Sequence, residues 1–449
     1  MAVENQQLKK LSSYFAPYAK LYAVGGYVRD GLLGIGSYDI DICSQLDVKT
    51  VKTILSNTEF AVLDRNLRMG TVIVVGDGFK AEYTTFRTDS YDKRSGAHSP
   101  KNVTFTDDIA LDARRRDFCC NAVYLDILSG NVVDVTGGTE DIKNKVIRTA
   151  DAPEIVFEAD GLRILRMVRF AAELGFDIEK HTFKTAKKNA WRVKDIAAER
   201  IRDELDKIFC ADKKHPELEL HDAHLRGVRL LDELGLIDML LPELAALKGL
   251  EQPKKYHLYD AYEHSLKAFE VSESEIRWEA LLHDIGKAAA VKAQGNMHSH
   301  EIFGEELAAG IAGRFKFSGE RKKRFVELVR LHMTDIDGKT SENKLRRFAV
   351  EHFAVMSELC KLKRADAIAS CGRYDNTRLE DIYRKVACDG TPLCIKDLKV
   401  DGRDLVELGV DEKDRGRILH ELFLDTVLEP SLNEREKALA YIKRKCKKS

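Results

Sequence analysis

The stretch Val24 to Asp41, VGGYVRDGLLGIGSYDID, holds the residues whose types and spacing could do phosphoryl chemistry. Gly25 and Gly26 carry no Cβ, so their backbone N–H groups can approach an anion at a helix start, and Arg29 would bring a forked cation to the same point. Asp39 and Asp41 bracket Ile40, and on an extended strand both carboxylates point to one face. Side by side they repel unless something positive lies between them. The usual solution in phosphoryl transfer is a pair of Mg²⁺ (magnesium) ions about 3.5–4 Å apart. Alone, a glycine pair is most often a turn and a DxD a solvated strand end, so the weight rests on their conjunction.

Positioning these groups takes a strand, a glycine turn, a helix and a second strand. Leu21 to Val24 is apolar, Val28, Leu32 and Leu33 fall at helical spacing, and Tyr38, Ile40 and Ile42 alternate with the acids. Val48 to Phe105 reads as strand-rich, with Thr71 to Val75 β-branched and Lys80 to Phe86 alternating. Glu82 on the latter strand could face Asp39 and Asp41 as a third acid; the alternative is a solvent-facing side chain. Arg87 to Pro100 is polar with Gly and Pro, which predicts a loop. In Asp112 to Ala122, DARRRDFCCNA, adjacent arginines beside a metal-triphosphate site would neutralise developing phosphate charge. The alternative for Arg116 is an ion pair with Asp112 or Asp117. Asn131 to Ile147 returns to alternating strand, closing a first domain near residue 150.

Beyond Ala150 the period changes to 3.6, predicting helices to the end. On a helix from Phe157, Asp160 and Arg163 lie three apart, about 60° round the axis, so both can address one flat ligand edge. A carboxylate accepts from an exocyclic amino group and a guanidinium donates to a ring nitrogen or carbonyl. Such a pair admits cytosine and adenine and rejects guanine and uracil; the alternative is a surface ion pair. Arg169 is half a turn from Asp160 and would buttress the first domain or contact phosphate. Ile201, Leu205 and Ile208 are at core spacing, and the polar Glu251 to Tyr256 marks a boundary.

A second constellation follows: His264, then His283-Asp284 on an apolar helix, His298 and His300, His332 and Asp366. Neutral imidazoles with carboxylates suit a divalent transition metal that could activate water against a phosphate ester. The 449 residues, 44% hydrophobic and 33% charged, can bury two or more cores. The formal net charge of −1 does not announce a nucleic-acid partner, which must be argued from clusters such as Arg114-Arg115-Arg116. Nine cysteines without a CxxC pair, no apolar run near membrane length and no signal-peptide core predict reduced thiols, no membrane partner and a cytoplasmic location.

GGxVRD followed by DxDI resembles the signature of the DNA polymerase beta nucleotidyltransferase superfamily, in the branch of bacterial CCA-adding enzymes and poly(A) polymerases. DARRRDFCCNA is similar to that family's DLxRRDFTxNA, with Cys119 where threonine is common. Asp160, Arg163, Arg166, Arg169 and Phe170 match EDxxRxxRxxRF, with Ala159 in place of Glu, and AAERIRDEL resembles the family's bracing helix. The His and Asp series resembles the HD phosphohydrolase superfamily, and CIKDLKVDGRDLVELGV the C-terminal tail of Firmicute-type enzymes.

The resemblance implies an α+β fold: a small mixed β-sheet nucleotidyltransferase head over 1–150, an all-α neck for base recognition and RNA binding over 151–250, an HD-like helical body over 251–375 and a helical tRNA-binding tail over 376–449. It implies catalytic Asp39 and Asp41 on Mg²⁺, nucleotide contacts from Gly26, Arg29, Arg116, Arg166 and Arg169, and base templating by Asp160 and Arg163. The reaction expected is template-independent addition of CCA to tRNA from CTP and ATP with release of pyrophosphate. In the HD part it implies a second divalent metal on His264, His283, Asp284 and Asp366, with His300 and His332 for a further metal or phosphate. The alternatives are a poly(A) polymerase, a specialised A- or CC-adding enzyme, or an HD phosphohydrolase or metal-free RNA-binding protein.

Overall fold

Short apolar runs become strands where both faces can be covered, and Tyr22–Val24 (β1) is such a run, with Ala23 and Val24 fully buried. In the computed structural model, which describes residues 5–37, 39–90, 102–253 and 258–446, it lies inside a seven-stranded mixed sheet. The other strands are Ile40–Ser44 (β2), Ala61–Asn66 (β3), Thr71–Gly76 (β4), Phe79–Thr85 (β5), Val123–Asp126 (β8) and Val132–Asp134 (β9), in the order β3-β4-β5-β2-β1-β8-β9. All neighbours are antiparallel except β2 and β5, whose parallel register sets Asp41 directly beside Glu82. The chain divides into two units, Met1–Pro242, which holds this sheet, and Glu243–Ser449, whose described elements are all helices.

Three local expectations are corrected. Val48–Leu55 is a helix within the supposedly strand-rich region, because Asp47 accepts from the Thr50 amide at 2.7 Å as an N-cap while Val51 and Leu55 supply one buried face. Arg87–Ser90 (β6) is not loop but strand, paired with Asn102–Phe105 (β7); the rest of the expected loop lies outside the described residues. Gly138–Asn144 is helical, and a small parallel pair, Val146–Ile147 (β10) with Asp177–Ile178 (β11), carries strand past residue 150.

The helix expected from Phe157 is broken. Pro153–Ala159 ends at Asp160, whose backbone is extended, and Leu162–Leu174 begins afresh after Gly161. The second helix buries Ile164, Leu165, Val168 and Ala171 against Ala198–Phe209 and Ala223–Glu233. Ile201, Leu205 and Ile208 are buried on the partner helix. A forked ion pair ties this layer to the segment that leads into β8: Arg166 donates Nε at 2.8 Å and Nη2 at 2.5 Å to Asp117 Oδ2.

In the second unit, Leu328, Leu345, Met356, Leu359, Leu379 and Val427 share one core, and Leu405, Leu422 and Ile442 belong to another. The buried Arg346 donates to the Val427 carbonyl at 2.8 Å and the Thr391 hydroxyl at 2.6 Å. All nine cysteines are free thiols, and among the described residues no helix is long and apolar enough to cross a membrane.

Burial alone would raise the Asp117 carboxyl, but Arg166 and Arg163 beside it bring it down to about 2. A folded value below the unfolded one contributes stability that is complete above about pH 4 and lost as pH falls toward 2. Asp117→Asn is therefore expected to cost about 2 kcal/mol at pH 7, discounted for the partial exposure of Arg166. Urea denaturation of variant and parent at pH 7 and at pH 3 should show the deficit shrinking at the lower pH.

Candidate functional site

β1 ends at Gly25, whose φ of +75° suits glycine and whose missing side chain leaves room for Asp41 Oδ2, 3.1 Å from where a Cβ would stand. The helix Gly26–Leu33 then starts at the edge of a cleft of about 560 Å³. Asp41 on β2 and Asp39 just before it line this cleft and are both solvent-exposed; Tyr38 lies outside the described residues. Glu82 is beside Asp41 in register and is ion-paired with Arg65 at 2.6 Å. Although Asp41 reaches solvent, the surrounding protein pushes its carboxyl up to about 6; Arg116 opposes that rise and Glu82 and Asp39 add to it. Crowded hard oxygen donors of this kind fit a divalent cation.

Opposite the acids stand arginines that the protein already holds. Asp112, fully buried, accepts from Arg115 Nε at 2.7 Å, from Arg116 Nη2 at 3.3 Å and from the Tyr124 hydroxyl at 2.7 Å. Burial would raise this carboxyl, yet Arg116 and Arg115 hold it below the usual range. Arg116 thus makes the ion pair that was its alternative reading and lines the cleft as well. Arg29, expected to extend a free fork, is buried: it donates to Asp30 Oδ1 at 2.8 Å and Asn121 Oδ1 at 2.7 Å and lies over the Phe170 ring. Its guanidinium still borders the cleft, as do Gly26 and Arg166.

Asp160 and Arg163 face the same cleft, placed there by the helix break and not by a shared helical face. Asp160 Oδ1 accepts from the Leu162 amide at 2.9 Å, and Oδ2 lies 3.5 Å from Arg200 Nη2. Arg163 donates to the Arg115 carbonyl at 2.7 Å. Arg169 lines the cleft as well, and it is bonded to Glu204 at 2.7 Å and Glu173 at 3.0 Å, which locks the two helices together. Asn121, Glu204 and Arg200 take part without having been given a site role; their signal lay in the two stretches, DARRRDFCCNA and AAERIRDEL, that contain them.

In the second unit the side chains of His264, His283, Asp284, His300, His332 and Asp366 converge. Asp284 Oδ2 lies 3.3 Å from Nε2 of both His264 and His283, while its Oδ1 is 3.0 Å from His300 Nε2 and 3.6 Å from His332 Nε2. Asp366 Oδ1 is 3.1 Å from His264 Nε2. His283, His300 and His332 each present Nδ1 to a carbonyl three residues back, at 2.9, 3.0 and 2.7 Å, which assigns the proton to Nδ1 and leaves Nε2 with a lone pair. The Nε2 atoms nonetheless face each other in pairs, His264–His283 at 3.2 Å and His300–His332 at 3.1 Å. Two facing lone pairs need a positive charge between them. A proton is one answer: burial would lower His283, but Asp284 and Asp366 push it up to about 10. Two cations sharing Asp284 are the other, and the nitrogen and oxygen donors fit divalent transition metals.

Gly286 makes this convergence possible, since a Cβ there would stand 2.0 Å from the His300 carbonyl. His298 is exposed at the rim and outside the cluster. Lys287 donates to Asp284 and Gln252 at the wall of a cavity of about 740 Å³ that opens beside Asp284, His300 and Asp366.

Three family models match: the poly A polymerase head domain over residues 21–148, the probable RNA and SrmB-binding site of polymerase A over 175–248, and the HD domain over 255–371. A CCA-adding enzyme of Ligilactobacillus salivarius is 30% identical over 417 residues, 92% of this chain and 90% of that one. An A-adding tRNA nucleotidyltransferase of Deinococcus radiodurans is 30% identical over 375 residues, 80% and 78% of the two chains. The crystal structure of the Bacillus stearothermophilus CCA-adding enzyme in complex with CTP shares the fold, with a TM-score of 0.68 at 23% identity across 99% of this chain and 98% of that one. The Thermotoga maritima CCA-adding enzyme complexed with tRNA aligns at 0.60 and 18% identity across 98% and 95%. The sheet with its acids, the arginine-bearing helix behind it and the full-length similarity together make this chain a member of the CCA-adding enzyme family of tRNA nucleotidyltransferases.

Proposed function

We propose that this protein adds C, C and A to the 3′ end of tRNA in the cytoplasm, taking CTP and ATP, releasing pyrophosphate and using no nucleic-acid template. One observation carries the reading: Asp39 and Asp41 share a single cleft with Asp160 and Arg163, in a volume of about 560 Å³ that suits a nucleoside triphosphate. Asp39 and Asp41 would hold Mg²⁺, with Glu82 beside them; the bound cation would supply charge for the attacking hydroxyl and for the leaving pyrophosphate. Gly26, Arg29 and Arg116 form the triphosphate side. Asp160 accepts from the amino group of cytosine or adenine while Arg163 donates to the neighbouring acceptor; guanine and uracil leave both unpaired. Arg166 and Arg169 line the same cleft, held by Asp117 and Glu204, and would add nucleotide contacts.

The family matches support a division into head (1–150), neck (151–250), HD-like body (251–375) and tail (376–449). The tail exposes Lys396, Lys399 and Arg403, which suit RNA phosphates. The resemblance to the A-adding relative keeps a second reading open, addition of A alone. Incubating tRNA that ends at the discriminator base with CTP alone, and tRNA that ends in CC with ATP alone, separates the two: extension of both is expected, and extension of the CC-ended tRNA only would favour the second. Asp41→Ala is expected to lower addition about 10³-fold or more with an unchanged thermal melt; retained activity would refute the metal assignment.

In the HD part, His264, His283, Asp284 and Asp366 would hold one divalent metal, and Asp284, His300 and His332 a second. Bound metal would activate water against a phosphoester. Asp284→Ala should reduce bound metal, measured by elemental analysis, and abolish hydrolysis of a 2′,3′-cyclic phosphate, while nucleotide addition continues. Hydrolysis at the parent rate in that variant would exclude this site.

A further inference from the structure

Five arginines along the cleft are already compensated. Arg29 pairs with Asp30, Arg115 and Arg116 with Asp112, Arg166 with Asp117, and Arg169 with Glu173 and Glu204, every one of these carboxylates being buried. Lys214 differs: it lines the same cleft, it is exposed, and it makes no ion pair among the described residues. Its backbone is anchored on both sides. The Lys214 amide donates to the Ala211 carbonyl at 3.3 Å, and the next residue, His215, is buried. Burial holds the His215 imidazole below its usual range, Asp30 opposes that and Arg29 adds to it, so the segment is seated against the helix Gly26–Leu33. An ammonium on a flexible four-carbon stem thus rises from a fixed origin.

Its place in the cleft says what that ammonium can meet. Arg163, Arg166, Phe170 and Glu173 recur at steps of three and four residues, so one face of Leu162–Leu174 lines the cleft along its length. From Arg163 to Glu173 that face runs about 15 Å. Asp160 and Arg163 stand at one end. Lys214 belongs to the other: burial raises the Glu173 carboxyl, and Arg169, Arg29 and Lys214 oppose the rise. Arg29 is on the triphosphate side, so a nucleotide whose base meets Arg163 sends its phosphates toward that end. Arginines already paired with acids offer donors but little net charge, whereas an unpaired ammonium adds a whole charge for a polyanion to meet. We propose that Lys214 is a further nucleotide-binding residue, whose mobile ammonium meets the terminal phosphate of incoming CTP or ATP and stays with it in the departing pyrophosphate. This rests on the reading of the cleft as the nucleoside triphosphate site.

The test uses the full-length protein with Lys214→Ala and Lys214→Arg, each checked by thermal melt. Binding of CTP and of CDP is measured by titration calorimetry with Mg²⁺ present, and KM and kcat for CTP and ATP are measured on tRNA substrates. Lys214→Ala is expected to weaken CTP binding about tenfold, the low end for a bond to a charged group at an exposed position, and to change CDP binding less than twofold. KM for CTP and for ATP should rise together, with the smaller change in kcat, and pyrophosphate should inhibit less. Lys214→Arg should recover most of the loss. An equal loss for CTP and CDP, or a change confined to the KM for tRNA, would overturn the proposal. If Asp41→Ala is inactive and Lys214→Ala binds CTP as the parent does, only the role of Lys214 fails; if Asp41→Ala retains nucleotide addition, the reading of the cleft fails and takes this one with it.

Discussion

Two buried carboxylates, Asp112 and Asp117, are the constraint on which the cleft depends. Asp112 gathers Arg115, Arg116 and Tyr124; Asp117 takes Arg166 with both N–H groups and accepts from Asn121, whose own oxygen receives Arg29. Four arginines are thereby immobilised before any polyanion arrives. A cation whose side-chain entropy is already lost and whose neighbours are already arranged stabilises developing charge without reorganisation. The same carboxylates moderate the positive potential, so the arrangement does not depend on an anion to remain folded.

The second unit meets the opposite electrostatic problem. Its histidines are aimed inward by carbonyls on their outer nitrogens, and the single carboxylate of Asp284 is shared between two imidazole pairs. The first site organises cations around acids and waits for an anion; the second organises lone pairs and waits for cations. Each is built wholly from residues of its own unit, so substitutions in one can be interpreted without reference to the other.

Elements governed by local period were legible in the sequence. The alternation in Lys80 to Phe86 became β5, and its register with β2 set Glu82 beside Asp41. The apolar spacing of Ile201, Leu205 and Ile208 became a buried helix face. What escaped was whatever a distant partner decides. Arg29 is buried because Asn121 and Phe170 come to it from far along the chain. Arg169 turns to Glu204 on another helix. The break at Asp160 interrupts a stretch whose apolar rhythm continues on both sides, so periodicity concealed it. Asp47 capped a helix too short to outweigh the β-branched residues around it.

The lone parallel pairing of the seven-stranded sheet, β2 with β5, carries a kinetic implication. Hairpins such as β3-β4-β5 can close quickly by themselves, whereas a parallel partner must wait for an entire crossover to be threaded and compacted. Asp41 and Glu82 therefore become neighbours only once that slow, non-local step is complete. A nascent or partly unravelled chain can present glycines, arginines and the Asp39–Asp41 pair in nearly final form and still lack Glu82 beside them, which makes that third carboxylate a late reporter of correct folding.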